Sequence, residues 1–191
     1  MKSAFGTYLY AQNELGPWCS AKIWDYAFEG IDEEAYPGQH STTKGLEKLR
    51  DLKEAKRLVP ISRLQLDREL TVVTEKLRTL LEILRQSPRE GFCAILFVER
   101  RPTAHVIHDF LNECKKRFPG EKGQGGLGLD FLNSAVITGH GSKTDALQLK
   151  MQLRDQRRVL NGFRKGAFNM LIATDVAEEG LDIRRCKLVV R

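Results

Sequence analysis

The spacing of apolar positions changes near residue 90. Upstream it is helical. Leu66, Leu70, Val73, Leu77, Leu80, Leu81 and Leu84 recur at steps of three and four, which predicts one amphipathic helix over 64–86, ended by Pro88 and Gly91. Residues 46–59 are strong helix formers with Leu46, Leu49 and Leu52 on one side. Residues 1–36 are rich in aromatics, including Tyr8, Trp18, Trp24 and Phe28, and suggest packed helices of poor period. Pro, Gly, Ser and Thr over 36–45 read as a linker or turn.

Downstream, short continuous apolar runs alternate with longer amphipathic stretches. Cys93–Val98 has the unbroken character of a strand buried on both faces. A helix is expected over 103–118, then a Gly-rich loop over 120–128 and a strand ending at Thr138. A long basic helix over about 145–164 follows, with Leu149, Leu153, Leu160 and Phe163 inward. Further strands end at Thr174 and at Val190, with a short helical turn between them. Strands alternating with helices specify βαβ crossovers, so the class is α/β with a parallel sheet flanked by helices and preceded by a helical segment. The division expected is a helical part over 1–64 and a sheet domain over 65–191.

Composition adds limits. With 41% hydrophobic and 29% charged residues, the chain can bury a sizeable core and is not a disordered tail. No apolar run approaches the roughly 20 residues that span a bilayer, and the start lacks a long apolar signal region. No membrane role and an intracellular location, cytoplasmic or nuclear, are expected. Cys19, Cys93, Cys114 and Cys186 form no CxxC pair, so buried reduced thiols are favoured over zinc or a disulfide. The net charge of +6 suits a polyanionic partner, though many proteins without one are as basic.

In parallel sheets, ligands gather beyond the carboxyl ends of the strands. That edge should carry Glu99, Arg100 and Arg101 after the first strand, Thr138, Gly139, His140 and Gly141 after the second, and Thr174, Asp175 and Glu178–Asp182 after the third. Hydroxyls, free amides and arginine forks suit phosphate oxygens, and glycines admit a close backbone. The rival reading is the ordinary set of polar turns in any α/β domain. The arginines of the long helix, Arg154, Arg157, Arg158 and Arg164, with Lys165, are more often a solvated face. His105 and His108 are too few for a metal site and read as surface residues. The Gly-rich loop lacks the GK[ST] of a phosphate-binding loop, and Asp32–Glu34 follows no strand, so it reads as a surface charge cluster.

LIATDVAEEGLDI, residues 171–183, closely resembles motif V of superfamily-2 helicases. ILFVERRPTA, 95–104, resembles motif IV in its Dicer form, and ITGHGS, 137–142, the next box of Dicer and the antiviral RNA-sensor helicases. KLVVR, 187–191, is similar to the strand after motif V, and ELGPWCSAKI, 14–23, to the opening of the helical insertion of Dicer helicases. The resemblance covers roughly 10–30 and 65–191. It implies the second RecA-like lobe with part of its helical insertion, cut before motif VI.

The family likeness implies roles by position. RNA-backbone contacts would fall to Arg100, Arg101, Thr138, Gly139, Thr174 and Asp175, and an interlobe ATP site to Glu179, Gly180 and Asp182. It also implies a first RecA-like lobe as partner, double-stranded RNA as substrate, and ATP with Mg²⁺ in the two-lobe enzyme. The setting would be RNA silencing or antiviral defence beside a Dicer-type endonuclease. The sequence has no Walker A lysine, no DExH box, no motif VI arginine and no nuclease segment. The chain alone is therefore expected to bind no cofactor and to hydrolyse no ATP. Alternatives are a non-catalytic RNA- or partner-binding module, a fragment of another superfamily-2 RNA helicase, or a poorly folding relic.

Overall fold

The computed structural model describes residues 2–28, 54, 64–121, 125–139, 153–174 and 186–191. Its elements, in order, are α1 (Lys2–Glu14), α2 (Pro17–Phe28), α3 (Glu75–Gln86), β1 (Ala94–Val98), α4 (Arg101–Arg117), β2 (Ser134–Ile137), α5 (Leu153–Arg164), β3 (Met170–Thr174) and β4 (Leu188–Val190). The sheet order is β2-β3-β1-β4, and every neighbouring pair is parallel.

The strands are apolar throughout because both faces are covered. Side chains alternate across the sheet. Ala94, Leu96, Met170 and Ile172 join a large cluster with Leu77, Leu81, Phe110 and Leu111 from α3 and α4. Ile95, Phe97, Leu171 and Ala173 face the other way, onto Val159 of α5. The first cluster also takes in Ala11, Leu15, Trp18, Cys19 and Ile23, so α1 and α2 share one core with the sheet domain.

The expected long helix over 64–86 is shorter, beginning only at Glu75. Leu66, Leu70 and Val73 are buried all the same, at 4%, 4% and 3% exposure, but from turns. Two local features break the helix. The Thr71 amide and hydroxyl both donate to the Asp67 carboxylate, which holds that carboxyl below its usual range and competes with helical bonding. Leu70 takes a positive φ of 53°, a left-handed conformation that cannot propagate an α-helix.

The freed backbone bonds elsewhere. Trp18 N donates to Val72 O at 3.1 Å, and Thr74 N to Leu15 O at 3.1 Å. The Thr74 hydroxyl donates to Glu14 O at 2.8 Å, satisfying a carbonyl at the end of α1. Gly16 sits in this seam with φ +102°, and a Cβ there would lie 2.8 Å from Val73 Cα. The Leu15-Gly16-Pro17-Trp18 run thus has a steric reason. Glycine admits the crossing backbone, and Pro17 opens α2 where no intrahelical N–H is required.

The basic helix has a second departure. Leu153, expected inward, is 55% exposed, while Val159 is buried and Leu160 and Phe163 pack on the sheet as expected. Gln156 already reaches Thr138 O at the sheet rim. Leu153 lies three residues earlier, roughly 4.5 Å farther along the helix axis. Leu149, the helix over 46–59 apart from Glu54, which is helical and exposed, the linker over 36–45, the Asp32–Glu34 cluster and the turn after β3 lie outside the described residues.

The Gly-rich loop is a packing element. Leu127 N donates to Phe118 O at 2.9 Å and Gly128 N to Gly120 O at 2.8 Å. A Cβ on Gly126 would fall 2.0 Å from Gly120 O, so only glycine fits. Leu127, Leu129 and Leu132 are buried beneath it.

Candidate functional site

Parallel strands in register bring their carboxyl ends to one edge. Val98 lies beside Thr174, and Ile137 beside Ala173, so Thr138 comes level with Thr174. Along this rim the described sequence runs Thr138–Gly139 after β2, Thr174 closing β3, and Glu99–Arg100 after β1. The candidate residues that flank the strands thus share one side of one sheet.

Their side chains divide into two groups. Thr138, Gly139 and Thr174 form a buried hydrogen-bonded knot. Gly139 N donates to Thr174 Oγ1 at 3.3 Å, and Gln156 of α5 donates its side-chain amide to Thr138 O. Both threonines are buried, at 0% and 4% exposure. The Thr138 hydroxyl has no hydrogen-bond partner among the described residues, although a buried hydroxyl without one is costly.

The second group gathers around α1. The Arg100 guanidinium lies over the Tyr10 ring, 3.9 Å from its centroid. The Tyr10 hydroxyl donates to Glu99 Oε2 at 3.3 Å, and burial, followed by the Glu99 charge, raises its pKa. Arg100 is also the residue before α4, and Arg101 opens that helix, half-buried. The turn after β1 is therefore held by a helix some ninety positions upstream. Beside it opens a cavity of about 550 Å³, walled by Leu77, Leu80, Leu96, Ile107 and Val190.

Asp175, Glu179, Gly180 and Asp182, with His140, Gly141 and Glu178, lie outside the described residues. Tyr10 and Gln156 are the site residues that sequence reading missed, while Glu99 was already placed on this edge. Tyr10 and Gln156 act on the rim across long separations, and no local pattern marks them.

The basic residues Arg154, Arg157, Arg158, Arg164 and Lys165 are exposed, as a solvated face would be. His108 is not the surface residue expected. It is half-buried, with Nδ1 at 2.9 Å from Ser134 Oγ and Nε2 at 3.0 Å from Asn112 Nδ2, tying α4 to β2. Burial, opposed only in part by Asp109, lowers its pKa. No group of three or more His, Cys, Asp or Glu among the described residues could hold a metal ion. No helix among them is long and apolar enough to cross a membrane.

An all-parallel sheet with polar strand ends on one rim is the architecture of an open α/β lobe, and the "Helicase conserved C-terminal domain" model matches residues 75–191. The chain belongs to that family and has its RecA-like fold, with helices preceding the sheet. Its relatives include Dicers. Endoribonuclease Dicer-S of Xenopus laevis is 41% identical over 102 residues, covering 52% of this chain and 5% of that protein. Dicer-like protein 1 of Cryphonectria parasitica is 32% identical over 192 residues, covering 95% of this chain and 11% of that one. Dicer-like protein 1 of Neurospora crassa is 30% identical over 201 residues, covering 95% and 12%. The Pyrococcus furiosus Hef helicase domain superposes with a TM-score of 0.49 at 22% identity, covering 97% of this chain and 32% of that one. The chain thus spans about 5–12% of the length of these curated relatives.

Proposed function

We propose that this chain is the second helicase lobe of a Dicer-type enzyme, holding the backbone of double-stranded RNA at its strand rim and contributing one wall of an interlobe ATP site. The observation that carries it is the common rim of Arg100, Thr138–Gly139 and Thr174, with the motif-V sequence running on from Thr174. Phosphate contacts need donors at fixed spacing and no base reading, and the rim hydroxyls and the Arg100 guanidinium are donors of that kind. ATP and Mg²⁺ belong in this reading to the complete two-lobe enzyme. Glu179, Gly180 and Asp182 are assigned to the nucleotide, and Asp175 and Arg101 to RNA, by their motif positions. The proposal extends to the setting, RNA silencing or antiviral defence within an intracellular endoribonuclease, and the Dicer names of the relatives support that extension.

Chemistry limits what one lobe can do. Phosphoryl transfer is catalysed by positioning and charge, which this reading draws from two lobes. With no Walker A lysine or DExH box in its sequence, this chain should turn over no ATP by itself. Binding is the testable half. Fluorescence anisotropy with a labelled RNA duplex should show affinity that falls steeply with salt, and Arg100→Ala should lower the salt slope by about 1, evenly across sequences. RNA-stimulated ATPase should appear only when a first lobe is added. Hydrolysis by the chain alone would overturn the half-site reading. RNA binding that persists with no ATPase in the reconstituted pair would favour the non-catalytic module.

A further inference from the structure

We propose that Cys93 and Cys186 form an oxidant-sensitive dithiol that closes to a disulfide and staples the edge strand β4 to β1. Their sulfurs lie 3.6 Å apart, 93 positions apart in the chain. Neither is in a disulfide, and both lie in half-buried positions that a small oxidant can reach. The backbone holds them together, since Lys187 N and Leu188 N both donate to Cys93 O, at 2.9 and 3.3 Å. A disulfide needs the sulfurs at about 2.05 Å, so small side-chain rotations must close roughly 1.6 Å. Such a bond would lie at the amino ends of the strands, opposite the rim described above.

The other two cysteines provide an internal contrast. Cys19 and Cys114 are fully buried, and burial pushes the Cys114 thiol up to about 12 and that of Cys19 higher. Thiolates are the reactive form, so these two should stay reduced in the folded chain. Selectivity for the Cys93–Cys186 pair therefore follows from exposure and proximity together.

The oxidant class is a hydroperoxide. One thiolate attacks the peroxide oxygen, breaking O–O and giving a sulfenic acid, and the departing hydroxide takes a proton to become water. The second thiol attacks the sulfenic sulfur, forming S–S and releasing a second water. The two sulfurs lose two electrons in total and hydrogen peroxide gains them. Thiol–disulfide exchange returns the pair to dithiol.

The bond would act where the sheet is thinnest. β4 pairs with β1 through three residues only and is an edge strand among the described residues. A cross-link closing so long a loop restricts the unfolded chain, and should raise Tm by roughly 5–15 °C after allowance for native strain.

The test treats the 191-residue chain with stoichiometric hydrogen peroxide, counts free thiols, digests without reductant and maps linked peptides by mass. The expected result is loss of two of the four thiols, one Cys93–Cys186 linkage, a higher Tm, and full reversal by dithiothreitol. Cys93→Ser and Cys186→Ser should each abolish the linkage and the Tm rise. Retention of all thiols, over-oxidation of Cys93 without cross-linking, linkage through Cys19 or Cys114, or a linkage that leaves Tm unchanged would each overturn the proposal. The peptide map of the unaltered chain decides the site even where a serine variant folds poorly. RNA affinity is a separate readout, so failure here leaves the rim assignment standing.

Discussion

At the scale of residues, single side chains carry constraints that sequence makes legible only in part. Gly16 appears in the sequence as one glycine in a Leu-Gly-Pro-Trp run. The backbone of Val73 crossing 2.8 Å from its would-be Cβ explains it. Gly16→Ala should cost about 2–3 kcal/mol from backbone strain and steric clash together, measured by urea unfolding. A loss under about 0.5 kcal/mol would show that the seam relaxes freely. His108 was readable as a helical histidine, but its bond to Ser134 needed the strand to arrive. Burial holds its pKa below the usual 6.5, so the folded state favours the neutral ring. The unfolded chain takes up a proton at 6.5 that the fold resists. Stability is therefore full above that pH and declines as pH falls through it toward the lower folded value. Urea midpoints at about pH 7.5 and about pH 5.5 should differ more for the unaltered chain than for His108→Asn. Equal pH dependence in both would exclude His108 as the source.

Elements show where periodicity suffices and where it misleads. β1 and α4 follow their apolar patterns closely, because a strand covered on both faces must be apolar throughout and α4 buries one stripe. The stripe over 64–86 identified buried residues and misassigned their conformation. Burial selects leucine and valine whether they sit on a helix or on turns, while Asp67, Thr71 and Leu70 decide the backbone. The packing of α1 and α2 on α4 was invisible in the sequence. Trp18 meets Phe110 edge to face at 5.8 Å, inside the shared core. Trp18→Ala should cost about 3–5 kcal/mol. Hydrogen exchange should then rise in α1 and α2 before the strands. Loss of protection confined to residues next to Trp18 would mean that the two helices do not depend on this anchor.

At the scale of the whole molecule, the described residues form two apolar clusters, one on each face of the sheet, with an exposed margin. β4 ends the described sheet, and Val189 is 43% exposed on it. An unpaired apolar edge invites strand addition by another copy. Val189→Lys should reduce light scattering at high concentration and leave Tm within about 2 °C. Unchanged aggregation would place the sticky surface elsewhere. The same scale governs function. The residues that bear on the rim come from α1, β1, β2, α5 and β3, so any RNA affinity depends on the sheet as assembled.

The sequence by itself determined the class of fold, the order of its strands along the chain and the polar residues that follow each one. Apolar runs and helical periods are local properties, and the helicase motifs are contiguous words. Tertiary structure decided which of those words meet. It set β3 between β2 and β1, joined Gly139 to Thr174, laid Arg100 on Tyr10, and put two distant thiols in contact. Those pairings are fixed by the packing of whole elements, and no spacing along the chain encodes them.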